Sequence, residues 1–238
     1  HPLWMALLLI PTAIVGEKSM LLLRVTMIMQ QLIFVGMFYI YFRLSRQLKL
    51  NFWFIPFPLF LLYFITNGIY LTEGFINGFF LMWALFLMVG LIGKYDRGKF
   101  ILAGFILVLA ILSRLDNIYI AGCALLFFLI FQIRSNDKFR FFDILYVAAP
   151  VVLVVGIYLV YNYANFGHLM PISGKIKSTF PELTDRNNLQ PEYIGKYGFL
   201  TLGFAILSFL TVLLKITQKQ RFLLLTLGGG TSLLMVYI

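Results

Sequence analysis

The chain has 238 residues, of which 61% are hydrophobic and only 12% charged, and its mean hydropathy is +0.94. Soluble domains run at about 25% charged, so the composition excludes an ordinary water-soluble domain and predicts an all-α, polytopic transmembrane helical bundle. The net charge of +10 does not point to nucleic acid, because the basic residues stand in short clusters between apolar runs, as the positive-inside bias requires. Cys123, the single cysteine, lies in an apolar run, which leaves no disulfide framework and no zinc pattern.

The chain opens at His1 without a starter methionine or signal sequence and stops at Ile238 inside an apolar run, so we expect residues 1–238 to be one transmembrane domain cut from a longer protein. The first apolar run, Leu3 to Gly16, gives about 21 Å of helix, short of the ~30 Å hydrocarbon core. Residues 1–19 are therefore expected to lie along or dip into the interface. Runs long enough to cross, or nearly so, follow at Met20 to Phe42, Phe52 to Tyr70, Phe75 to Ile92, Phe100 to Ser113, Ile118 to Ile133, Ile144 to Tyr163, Phe199 to Leu214 and Phe222 to Ile238. This predicts about eight spanning helices. Arg24, Gln30 and Gln31 in the first of them read as interhelical hydrogen-bonding residues.

With the first run outside the count, four basic loops fall on one side: Arg43/Arg46/Lys49, Lys94/Arg97/Lys99, Arg134/Lys138/Arg140 and Lys215/Lys219/Arg221. They hold 12 of the 19 basic residues but only Asp96, Asp137 and Asp143 of the nine acids, which makes that side cytoplasmic. The opposite, extracytoplasmic face then receives Glu17, Lys18, the YLTEGFING loop with Glu73 and Asn77, the LSRLDN turn from Leu112 to Asn117, and a long loop over residues 162–198.

LSRLDN puts Arg114 and Asp116 inside nearly continuous hydrocarbon. An ionised side chain at bilayer depth costs about 2.5–3.5 kcal/mol on insertion scales, so it faces a wet cavity, pairs, or serves a function. The two runs flanking it are short, as broken helices lining a cavity are. In the long loop, Gly167, Pro171 and Gly174 punctuate YNYANFGHLMPISGKIKS as a structured turn. Lys175 and Lys177, beside Ser173 and Ser178, offer a cradle for a phosphate near the membrane surface. The Gly174-Lys175 pair lacks the spacing and preceding strand of a nucleotide P-loop. Residues 181–197 form a polar stretch suited to capping the site or binding an acceptor.

HPLW at His1 to Trp4, TEGFING, LSRLDN and YNYANFGHLMPISGKIKS together resemble segments of the bacterial GT-C membrane glycosyltransferases, which take sugars from polyprenyl-phosphate donors. The resemblance implies a multi-pass protein of the inner (plasma) membrane with an extracytoplasmic active face. Its implied partners are membrane lipids, a polyprenyl-phosphate-linked sugar and a glycan, lipid or protein acceptor, with no nucleic acid. It further implies a substrate-binding set of Glu73, Arg114, Asp116, Asn117, His168, Lys175 and Lys177. In that superfamily the acidic catalytic residue lies in the first extracytoplasmic loop, upstream of the HPLW-like stretch, so the catalytic acid is expected before His1. No cofactor is identified, and the sequence has no metal-ligand spacing, so a divalent metal would need residues outside this chain. Two other readings fit the same composition: a transporter or flippase of lipid-linked saccharide, which should show internal repeats that this sequence does not, and a non-catalytic GT-C-like subunit of a larger membrane complex.

Overall fold

The computed structural model describes residues 2–16, 19–51, 57, 74–167, 206 and 216–237. Among them every regular element is helical. Seven α-helices, α1 (Pro2–Val15), α2 (Ser19–Gln47), α3 (Gly74–Leu91), α4 (Arg97–Ser113), α5 (Asn117–Ser135), α6 (Leu145–Phe166) and α7 (Gln218–Tyr237), are joined by a short 3₁₀ helix, Phe141–Ile144, that leads into α6. The chain divides into two compact units, His1–Leu115 and Asp116–Ile238.

Four stretches among the described residues are long and apolar enough to cross a membrane: Met20–Gln47, Gly74–Leu91, Asn117–Ser135 and Phe141–Phe166. The protein is therefore a multi-pass helical membrane protein. Of the other expected crossings, 52–70 and 199–214 lie outside the described residues. Phe100 to Ser113 is helical within α4, whose 17 residues rise about 26 Å. Phe222 to Tyr237 is helical within α7, whose first turn carries Lys219 and Arg221. The expected interfacial run is the 14-residue helix α1, closed by Gly16 at φ 68, whose N–H donates to Thr12 O at 2.8 Å.

In the first unit α2 and α3 run parallel. Phe34 meets Phe75 edge-on with ring centroids 5.7 Å apart, Gly36 faces Phe79, and Gln47 faces Gly90. A Cβ on Gly36 would lie 2.8 Å from Phe79 Cε2, so the missing side chain admits the ring. The helix α4 folds back along α3, with its N-terminal turn at the C-terminal end of α3, and α1 packs on α2 and α4. The core of the unit is apolar, with Phe75, Ile76, Leu85, Met88, Phe100, Leu107 and Ile111 almost wholly buried. The outer face of α2 is equally apolar but exposed, with Ile28, Leu32 and Val35 each at least 60% accessible, as a lipid-facing surface is.

Helix ends differ from the sequence expectation at three places. RLSRQLK was expected as loop from Arg43, but α2 continues to Gln47, because nothing from Arg43 to Gln47 breaks a helix. It then stops in a Schellman arrangement: Lys49 is left-handed at φ 57, its N–H donates to Arg46 O (3.1 Å), and Leu50 N–H donates to Ser45 O (3.0 Å). GFING, shared between the expected YLTEGFING loop and the expected Phe75 to Ile92 run, is helical from Gly74 on and forms the first turns of α3. The long loop was expected from residue 162, but α6 runs to Phe166 and closes at Gly167, φ 69, whose N–H donates to Tyr163 O at 2.9 Å.

In the second unit α5 and α7 form an antiparallel pair. Ser135 Oγ donates to Gln218 Oε1 at 2.9 Å at one end, Phe222 lies edge-on to Phe128 and Phe131 in the middle, and Gly229 and Gly230 reach Cys123 and Ile120 further along. A Cβ on Gly230 would stand 2.5 Å from Ile120 Cα, so the backbones touch. Close approach through small residues is how helices gain dispersion energy in lipid, where no hydrophobic force pulls them together.

Candidate functional site

The apolar face of α4 carries the chain to Ser113, which is fully buried. The hydroxyl proton is shared between Ala110 O at 2.7 Å and Asn77 Oδ1 at 3.2 Å. A buried hydroxyl without partners would cost about 1–3 kcal/mol, so this bond fixes the C-terminal end of α4 against the N-terminal turns of α3. The sequence segments GFING and LSR, 36 positions apart between Asn77 and Ser113, are thereby brought together.

Arg114 follows as the cap of α4. Its backbone is extended (φ −149, ψ 118), and its N–H donates to Ala110 O at 3.3 Å. The extended turn ends the helix and leaves the side chain half-buried beside Ser113. A guanidinium there offers a planar fork that matches a phosphate or carboxylate with two parallel hydrogen bonds.

Asp116 and Asn117 open the second unit. Asp116 has right-handed helical backbone (φ −57, ψ −23), and its carboxylate does not cap α5. Its carbonyl accepts from Tyr119 N–H at 3.3 Å. Asn117, expected as an exposed turn residue, is the first residue of α5 and only 4% accessible. It is a buried amide at a helix start. Glu73, His168, Lys175 and Lys177 lie outside the described residues. Of the expected set, then, Arg114, Asp116 and Asn117 have defined positions.

Two further polar residues are buried, one in each unit. Ser113, read only as the end of an apolar run, is the hinge of the contact with Asn77. Asn162, in the last two turns of α6, is 5% accessible and its Nδ2 has no hydrogen-bond partner among the described residues. An amide inside an apolar span is a visible signal, but periodicity alone does not say which amides are buried. The glutamines of α2 show this: Gln30 is buried, whereas Gln31 is exposed, as is Arg24.

The opposite ends of both units are basic. Because α2 and α3 are parallel, Arg43, Arg46 and Lys49 stand at the same end of the first unit as Lys94, Arg97 and Lys99. Asp96 in that hairpin accepts from Lys99 N–H at 3.1 Å, and its other oxygen lies 2.8 Å from Lys99 Nζ. These bonds from Lys99, the side-chain one foremost, hold the Asp96 carboxyl below the usual aspartate range. In the second unit the Ser135–Gln218 bond puts Arg134 and Lys138 at the same end as Lys219 and Arg221. Comparisons with known proteins return no matching family model, no matching curated protein and no matching solved structure.

Proposed function

We propose that the protein is a membrane glycosyltransferase of the GT-C type, which moves a sugar from a polyprenyl-phosphate donor to a glycan, lipid or protein acceptor at the extracytoplasmic face of the plasma membrane. The observation that carries this reading is the Asn77–Ser113 bond. It joins two of the segments that bear the resemblance, at the end of the first unit remote from its basic residues, with Arg114 beside it.

The reaction forms a bond from an acceptor oxygen to the anomeric carbon and breaks the bond from that carbon to the donor phosphate. The acceptor proton passes to a carboxylate, which we place upstream of His1. The phosphate leaves with added negative charge, and a preorganised cation or hydrogen-bond donor lowers its energy in the transition state. Arg114 is the residue of this chain suited to that task. Glu73 and Asp116 suit acceptor or sugar hydroxyls, and His168, Lys175 and Lys177 the phosphate or its surroundings, whereas buried Asn117 does not reach a substrate directly.

The test is transfer of radiolabelled sugar from a polyprenyl phosphate by the full-length protein. Arg114→Ala should lower turnover by about 10²–10³-fold, the range for loss of one preorganised donor, with normal folded yield. Arg114→Lys should recover part of it, since an ammonium lacks the planar fork. Were Arg114 only a structural partner of Asp116, the single variants would fold poorly and Arg114→Ala/Asp116→Ala would recover much of the yield. Unchanged turnover in a well-folded Arg114→Ala overturns the assignment.

A further inference from the structure

We infer that the basic end of the first unit is a binding site for anionic phospholipid headgroups. This inference is independent of the glycosyltransferase reading, and it concerns the opposite end of the unit from Ser113. The packing of Gln47 against Gly90 brings the last turn of α2 alongside the hairpin between α3 and α4. Six basic side chains, Arg43, Arg46, Lys49, Lys94, Arg97 and Lys99, are all exposed there. Among the described residues this end holds one carboxylate, Asp96, and Lys99 occupies it at 2.8 Å. Arg43, Arg46 and Lys49 have no carboxylate partner among the described residues. Among the described residues, then, their charge is left for an anion from outside.

The arrangement favours a lipid over a soluble ion. The guanidiniums are held by aromatic faces: Arg43 lies 5.8 Å from the Tyr39 ring centroid, Arg46 6.0 Å from that of Phe42, and Arg97 5.7 Å from that of Tyr95. Tyr39 accepts from Arg43 Nη1 at 3.0 Å, which leaves four of the five guanidinium donors of Arg43 for phosphate oxygens. Aromatic rings that carry a polar tip sit at the headgroup level of a bilayer, and Tyr39 is 58% accessible on the same face of α2 as exposed Leu32 and Val35. A phosphate at the arginines thus has its acyl chains beside apolar helix. The α2 carbonyls, which would repel a phosphate, are partly masked because the Lys49 and Leu50 N–H groups already donate to two of them.

The test uses the whole chain in nanodiscs of phosphatidylcholine with phosphatidylglycerol at one part in four, and counts lipids retained on release by native mass spectrometry. The wild type should retain phosphatidylglycerol at least threefold above the bulk ratio, and soluble glycerol phosphate in excess should not displace it. Arg43→Gln/Arg46→Gln/Lys49→Asn should fall to the bulk ratio, and Lys49→Asn alone should lose part of the enrichment, since asparagine tolerates the left-handed backbone at this position. If the triple variant fails to fold, the single variant decides. Retention at the bulk ratio by the wild type, full enrichment in a folded variant, or displacement by glycerol phosphate each overturns the site.

Discussion

Asp96 shows how one side chain starts a helix at a membrane boundary. Extended backbone (φ −149, ψ 99) lets the carboxylate turn back to the Lys99 N–H, satisfying one of the orphan donors of the first turn of α4. Its folded-state pKa is lowered, chiefly by the Lys99 side chain, so its contribution to stability is present above the ordinary aspartate value of about 3.9. That contribution is lost as pH falls through the lowered folded value. We therefore expect Asp96→Asn to melt below the wild type at neutral pH and the two melting curves to converge in strong acid. A gap that widens in acid would contradict the assignment. Arg114 and Asp116 stand out in the sequence because charge inside hydrocarbon is conspicuous. The burial of Ser113 and that of Asn162 do not, since an uncharged polar residue costs little enough at a span end that only its neighbours reveal its role.

At the scale of helices, the glycines of α7 decide how closely it approaches α5. A methyl on Gly230 would meet the Ile120 backbone at 2.5 Å, whereas one on Gly229 would meet Cys123 Sγ at 3.2 Å, and one on Gly122 would meet nothing within 4 Å. Backbone cannot rotate out of the way as a thiol can. Gly230→Ala should therefore destabilise by about 1–3 kcal/mol, the cost of overpacking, with Gly229→Ala milder and Gly122→Ala within about 0.5 kcal/mol of the wild type. Unfolding titrations in mixed micelles give the ranking, and equal effects at all three positions would contradict backbone contact. Helix existence was legible from unbroken apolar runs. The ends were less so, because Arg43, Arg46 and Asn77 were read as loop by polarity, although neither charge nor an amide prevents a helix from continuing.

For the whole molecule, each unit presents a basic end, and the sequence expectation is that both ends lie on one side of the membrane. If that side is cytoplasmic, Lys94→Cys and Lys138→Cys, in an otherwise cysteine-free variant, should be modified by an impermeant thiol reagent only after the inner face is opened. Asn165→Cys, at the far end of α6, should react from outside. Labelling of Lys94→Cys and Lys138→Cys from opposite faces would end this topology. The crossing expected at 52–70 and the lysine cradle expected at Lys175 and Lys177 lie outside the described residues.

The pairing of α2 with α3 also sets a depth. Asn77 lies between Phe75 and Phe79, which face Phe34 and Gly36, so it is level with Val35 of α2. Val35 is eleven residues beyond exposed Arg24, roughly 16 Å of helix rise, and Arg24 stands about 28 Å from Arg43 along the same helix. That spacing matches the ~30 Å hydrocarbon core, and arginines at its edges extend to the phosphates. The Asn77–Ser113 contact is thus level with the middle of the α2 stretch between these two arginines, about 16 Å from Arg24. If the two arginines mark the edges of the hydrocarbon, a molecule carried on a hydrocarbon tail can come to such a level sideways, already dissolved in the solvent that surrounds it.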